Sequence, residues 1–273
     1  MKGPLIQTNV GQYYYSPSTG KIMRVSDFVT EDNLVAEDFS FNFRYSSELI
    51  EQKLKSELDT LILEPTQDCN LRCSYCIFGG DYKGERPHNL LTMNPDIAMR
   101  AIEYFLQHSR DRKPFRAVSF YGGEPLMNFP VIQTAVERCK DESRIIVSVS
   151  TNGLSLGKYA DYIRDNKVHV ALSLDGPEHI HNKNRVSKNG KPTFARIMSG
   201  LEKLGQEYCE EFLSFSATIN ESEDFWISYS FFRDNYPNQT TRLEFVKTDD
   251  RVDGQKRRLF IEKESFERLV KEY

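Results

Sequence analysis

Six short apolar runs, at 61–64, 117–120, 144–150, 168–174, 212–219 and 242–247, are separated by amphipathic stretches, of which 95–107, 131–140, 157–166 and 192–208 show the clearest helical spacing. Runs this short are strands buried within a sheet. Longer stretches with apolar residues three and four apart are helices that cover it. Strand and helix alternating along a chain build a parallel sheet with right-handed crossovers. Ligand sites in such folds form at the C-terminal ends of the strands. The expected class is α/β, and the unusual residues of this chain all fall just after predicted strands.

Ahead of this region, two β-rich runs at 12–15 and 21–25 flank Ser16-Pro17-Ser18-Thr19-Gly20, which predicts a hairpin. Residues 46–58 carry Leu49, Ile50, Leu54 and Leu58 among charges, which predicts a helix, while 27–45 favours neither state. The chain therefore divides into a small N-terminal α+β element over 1–58 and a main domain over 59–273. With 36 Lys+Arg against 40 Asp+Glu and a net charge of -4, no overall basic surface invites nucleic acid. No run approaches the ~20 apolar residues of a membrane span, and the N-terminus has no apolar signal core. A cytoplasmic protein without membrane or nucleic-acid partners is expected.

Three of the five cysteines, Cys69, Cys73 and Cys76, follow the first strand of the main domain with C-x3-C-x2-C spacing. In a reducing compartment such crowding favours a metal site over disulfides. Structural zinc wants a fourth protein ligand, for which His88 is the nearest choice. A [4Fe–4S] cube held by three cysteines instead leaves one iron open for a bound molecule. Cys139 and Cys209 lie on predicted helices and read as buried free thiols. Trp226, between Phe225 and Ile227, reads as a packing anchor. His179 and His181 read as loop residues, and Asp175 as serving a substrate or capping a loop.

The cysteine motif, with the aromatic Tyr75 before its last member, resembles that of the radical S-adenosylmethionine (SAM) enzymes. The likeness continues through Gly122-Gly123-Glu124-Pro125 after the second strand, Thr151-Asn152-Gly153 after the third, and Leu174-Asp175-Gly176-Pro177 after the fourth. This ordered set spans residues 61–204. The resemblance implies a partial (β/α)6 TIM-like barrel in which Cys69, Cys73 and Cys76 bind a [4Fe–4S] cluster whose open iron chelates SAM. Reductive cleavage of SAM would then yield a 5′-deoxyadenosyl radical that abstracts hydrogen from a substrate. It further implies that Gly122 and Gly123 let backbone approach the methionine moiety. By the same resemblance Glu124 faces the SAM amino group, and Ser173 and Arg185 hold its ribose or carboxylate. Tyr75 would lie against adenine or shield the cluster, and Val246 would touch adenine or pack in the sheet.

Within that family the motif set is similar to the SPASM/twitch-type branch, which holds anaerobic sulfatase maturases and maturases of ribosomally made peptides. The implied partners are a precursor peptide or protein substrate and a reductant such as flavodoxin or ferredoxin. The N-terminal element resembles the part of peptide maturases that grips a leader by strand addition. The implied product is a thioether-type crosslink in a Cys-rich peptide. Formylglycine formation in a sulfatase and a peptide-binding or Fe–S module without turnover are the alternatives. No cysteine follows Cys209, so the cysteine-rich auxiliary-cluster extension of that branch is expected to be absent, with the chain ending in a helix after the sixth strand.

Overall fold

The computed structural model describes residues 5–8, 11–16, 21–24, 46–109 and 115–246. Residues 27–45 and the helix expected after the sixth strand lie outside them. Two compact units are present. In the smaller, β1 (Leu5–Thr8), β2 (Gly11–Ser16) and β3 (Lys21–Arg24) form an antiparallel sheet in that order. The hairpin expected from residues 12–25 is β2–β3, and β1 adds a strand that four residues of sequence did not reveal. Helix α1 (Ser47–Ser56) follows.

The larger unit begins at Gln52. Its strands and helices run β4 (Thr60–Leu63), β5 (Leu71–Cys73), α2 (Pro95–His108), β6 (Arg116–Phe120), α3 (Phe129–Cys139), β7 (Ile145–Thr151), α4 (Leu156–Asp165), β8 (His169–Ser173), α5 (Glu178–Asn184), β9 (Arg185–Ser187), α6 (Phe194–Leu204), α7 (Gln206–Phe212), β10 (Leu213–Ile219), α8 (Asp224–Asn235) and β11 (Thr241–Phe245). All six predicted strands form one parallel sheet of order β11-β10-β8-β7-β6-β4. The order never reverses, so every crossover steps the same way and the helices gather on one face. That is the winding of a partial barrel, and neither edge strand, β4 or β11, pairs with the other.

Burial alternates along the strands accordingly. Val118, Phe120, Val149, Val170, Leu172, Phe215 and Ala217 are buried in a single core beneath the helices. Their neighbours Ser119, Ser148, Ser150, Ser173, Ser216 and Thr218 turn to the other face and stay half-buried. A closed barrel fills its interior with branched side chains; here that face carries mainly hydroxyls and small residues. Among the described residues no helix is long and apolar enough to cross a membrane.

Local signals set the helix ends. Asn94 Oδ1 accepts from the Asp96 N–H at 2.8 Å with Pro95 in the first turn of α2. Asn182 Oδ1 accepts from the N–H groups of Thr193 (3.0 Å) and Phe194 (3.1 Å), tying α5 to the start of α6. The single helix expected over 192–208 is broken at Gly205, whose φ of +84° no helix can contain. Helices α4 and α6 approach most closely at two glycines: a Cβ on Gly200 would sit 3.1 Å from the Gly157 nitrogen. Replacing Gly200 by Val should therefore overpack this crossing and destabilise the protein by about 1–3 kcal/mol, as read by urea denaturation.

Candidate functional site

The three cysteines occupy the loop that leaves β4, and two separate contacts hold that loop across the C-terminal ends of the strands. One is β5 itself, which pairs antiparallel with β9 so that Leu71, Arg72 and Cys73 face Ser187, Val186 and Arg185. The other is the Gly-Gly-Glu turn after β6. The N–H of Gly123 donates to the Thr66 carbonyl at 3.0 Å and that of Glu124 to the Asp68 carbonyl at 2.9 Å. A Cβ on Gly123 would lie 2.0 Å from the Asp68 oxygen, so only glycine lets these backbones meet. Gly122 has φ +135°, and a side chain there would strike Glu64. The close approach expected toward a bound ligand is made here between two segments of the protein.

Cys69 is buried, and Cys73 and Cys76 are partly so. Burial pushes the Cys69 thiol up to about 12, helped by the charge of Glu124 and by the other two cysteines. Burial likewise raises Cys73 to about 11 against the opposing pull of Arg185. Burial also raises Cys76, against the Phe78 N–H and nearby arginines. With burial the largest cause at all three, the thiols favour the protonated form until a metal takes the place of their protons. The donor set thus suits a soft, thiolate-binding group. Among the described residues, no three His, Cys, Asp or Glu side chains converge on one ion. A cluster in which each cysteine holds a different iron needs no such convergence. His88 does reach the loop, with Nδ1 3.4 Å from the Gln67 carbonyl and Nε2 3.6 Å from Cys76 Sγ. The carbonyl can only accept, so Nδ1 carries the proton and Nε2 turns its lone pair to the thiol.

Glu124 is 1% exposed, and its carboxylate is taken up by protein donors. Oε1 accepts from the Leu126 N–H (3.0 Å) and the Thr151 hydroxyl (2.6 Å), and Oε2 from the Asn152 N–H (2.8 Å). Through these bonds Glu124 joins the ends of β6 and β7. Burial raises its pKa against these hydrogen bonds.

Asp175 plays the matching part at the ends of β8 and β10. It is fully buried, and Oδ1 accepts from Arg185 Nε at 2.9 Å and the Thr218 N–H at 3.0 Å, while Oδ2 accepts from the Tyr75 hydroxyl. The Arg185 guanidinium lies 5.4 Å from the centroid of the Tyr75 ring. Tyr75 and Arg185, expected to contact a ligand, are thus brought together with Cys73 by an aspartate whose role the sequence left open. Ser173 ends β8 as a half-buried hydroxyl on the serine-rich face, and Val246 sits just past β11 with its N–H donating to the Ile219 carbonyl.

His181, expected on a loop, is buried on α5. Thr193 donates its hydroxyl proton to the Arg185 carbonyl at 2.6 Å, so it must accept from His181 Nε2 at 3.0 Å. That leaves Nδ1 to accept from the Asp175 N–H at 3.4 Å. The imidazole is neutral, and burial pushes its pKa down to about 4. Cys139 is buried on α3 and Cys209 partly buried on α7. Trp226 is half-buried on α8, edge-on to Phe225 and Tyr229. Asp175, Asn152 and His181 were named from the sequence without their partners, and Thr193 was not singled out, because a residue's type does not say what lies beside it.

A family model described as the Radical SAM superfamily matches residues 63–224. The serine-type anaerobic sulfatase-maturating enzyme of Bacteroides thetaiotaomicron is 30% identical over 144 residues, covering 50% of this chain and 34% of that protein. The chain spans less than half the length of such curated relatives. The solved structure of native anSMEcpe with bound AdoMet and Cp18Cys peptide superposes with a TM-score of 0.58 at 20% identity, covering 70% of this chain and 52% of that one. That of Streptococcus suis SuiB bound to precursor peptide SuiA does so with a TM-score of 0.51 at 16% identity, covering 73% and 42%. At these identities the superpositions speak for a shared fold.

Two outcomes are expected from this geometry. Asp175→Ala leaves a buried guanidinium unpaired and should cost about 3–5 kcal/mol, whereas Lys188→Ala, which removes the exposed bridge to Asp68, should cost under about 1 kcal/mol; denaturation of the metal-free protein compares them. His181 binds no proton in the fold above about pH 4 but binds one below 6.5 when unfolded. Acidification from about pH 7.5 to 5 should therefore remove about 2 kcal/mol of stability, a loss that His181→Asn should not share.

Proposed function

This chain belongs to the Radical SAM superfamily, and from that premise we propose that it holds a [4Fe–4S] cluster on Cys69, Cys73 and Cys76 and uses SAM to modify a residue of a peptide or protein. The observation that carries this reading is the three-cysteine loop held over the C-terminal ends of a parallel sheet by β9 on one side and the Gly-Gly-Glu turn on the other. When bound, such a cluster supplies the electron for reductive cleavage of SAM.

The chain's own residues then bind and orient. Arg185 commits Nε to Asp175 and retains further guanidinium donors, which suit the SAM carboxylate. Ser173 offers a hydroxyl from the end of β8. Gly122 and Gly123 keep side chains out of the turn beside the cysteines, and Glu124 holds that turn against β7. Tyr75, buried against the Asp175–Arg185 pair, screens the cysteine loop from water. In this reading a substrate segment meets the hydroxyl-lined face of the sheet at the same end of the strands.

A peptide substrate is supported by the solved neighbours that carry peptides. Among the described residues β1 and β3 are the outer strands of the N-terminal sheet, and an extended leader can add to such a strand. In this reading the product is a thioether-type crosslink in a ribosomally made Cys-rich peptide, and the electron comes from a flavodoxin- or ferredoxin-like donor. The likeness to sulfatase-maturating enzymes favours a second reading, oxidation of a sulfatase residue to formylglycine.

The test is anaerobic reconstitution with iron and sulfide, reduction, and addition of SAM. About four irons per chain and release of 5′-deoxyadenosine are expected, and Cys73→Ala should return the release to background. A fully loaded wild-type protein that forms no 5′-deoxyadenosine would sink the proposal.

A further inference from the structure

The sulfur of Cys69 receives two N–H groups, the backbone N–H of Leu71 at 3.4 Å and Nδ2 of Asn152 at 3.6 Å. The second comes from the Thr-Asn-Gly segment after β7, and the orientation of that amide is settled by its surroundings. Asn152 Oδ1 accepts from the Leu154 N–H at 3.0 Å, so Nδ2 must point the other way. There it faces two acceptors, Asn70 Oδ1 at 2.8 Å and Cys69 Sγ. Turning the amide over would set oxygen against oxygen at Asn70 and N–H against N–H at Leu154. The backbone is held as well, since the Asn152 N–H donates to Glu124 Oε2 at 2.8 Å. The residue is 7% exposed, so water competes little for the sulfur.

We propose that Asn152 positions Cys69 and tunes its site: the amide N–H donated to this sulfur raises the reduction potential of the cluster that Cys69 holds. The inference rests on the cluster-binding reading above. Adding an electron places more negative charge on the cluster and its thiolates. An N–H dipole aimed at a ligating sulfur stabilises that charge, and so favours the reduced form. The electron arrives from the external donor and the bond is the same before and after, so the protein contributes a fixed dipole and no proton. Through Glu124, the turn beside the cysteines also sets where this dipole points.

The experiment compares reconstituted wild-type protein with Asn152→Leu, Asn152→Ala and Asn70→Ala. Iron and sulfide content are measured first, then the midpoint potential by redox titration followed by electron paramagnetic resonance without SAM. Asn152→Leu and Asn152→Ala should load the cluster and titrate at a more negative potential than wild type. Asn70→Ala, which removes a neighbouring hydrogen bond but leaves the Asn152 N–H on the sulfur, should titrate with wild type. An unchanged potential in both Asn152 variants would overturn the inference. So would an equal shift in Asn70→Ala, which would mark a general loosening of the loop, or loss of cluster assembly in both Asn152 variants, which would mark a purely structural role. A wild-type chain that binds no iron would instead overturn the cluster reading itself.

Discussion

A carboxylate survives burial only where protein donors replace its water, and two such carboxylates organise this molecule. Glu124 takes three donors from the ends of β6 and β7. Asp175 takes three from β10, from β9 and from the cysteine loop. Most of these donors come from other strands or from the cysteine loop, so neither carboxylate is fully satisfied until the strands are aligned. The reward for correct assembly is therefore concentrated at the C-terminal ends of the sheet, where the three cysteines lie.

The cysteine loop is held between these two anchors. On one side the backbones of Gly123 and Asp68 are too close for any side chain to lie between them. On the other, Cys73 faces Arg185 across the β5–β9 ladder, and Arg185 is neutralised by Asp175. Both anchors reach the sulfurs: Glu124 by way of Asn152 to Cys69, Asp175 by way of Arg185 to Cys73. Preorganisation of this kind gives a metal-binding loop its geometry before any metal arrives.

A winding order that never reverses has a second consequence. With the helices on one face, the other face needs few apolar residues, and this chain supplies mainly serine, threonine and alanine there. That face meets the cysteine loop at the C-terminal ends of the strands.

The six strands of the parallel sheet, helices α2, α3 and α4, the loop placement of the cysteines and the motif order were legible in the sequence because each depends on local spacing. Period-two and period-3.6 patterns report burial on a face, and Gly122-Gly123 reports a turn that tolerates no side chain. The three-residue strands β5 and β9 were not legible, since Leu71-Arg72-Cys73 and Arg185-Val186-Ser187 carry no periodicity of their own and become strands only by pairing across some 110 residues of chain. Nor were the partners of Glu124, Arg185 and Asp175, because a side chain's residue type states what it can bind and not what lies beside it. By itself the sequence determined the class of fold and the family, and it singled out the three cysteines proposed to hold iron. Which polar groups are consumed by the protein and which remain for a ligand was decided only when distant strand ends met, because burial and hydrogen-bond satisfaction are properties of the assembled chain.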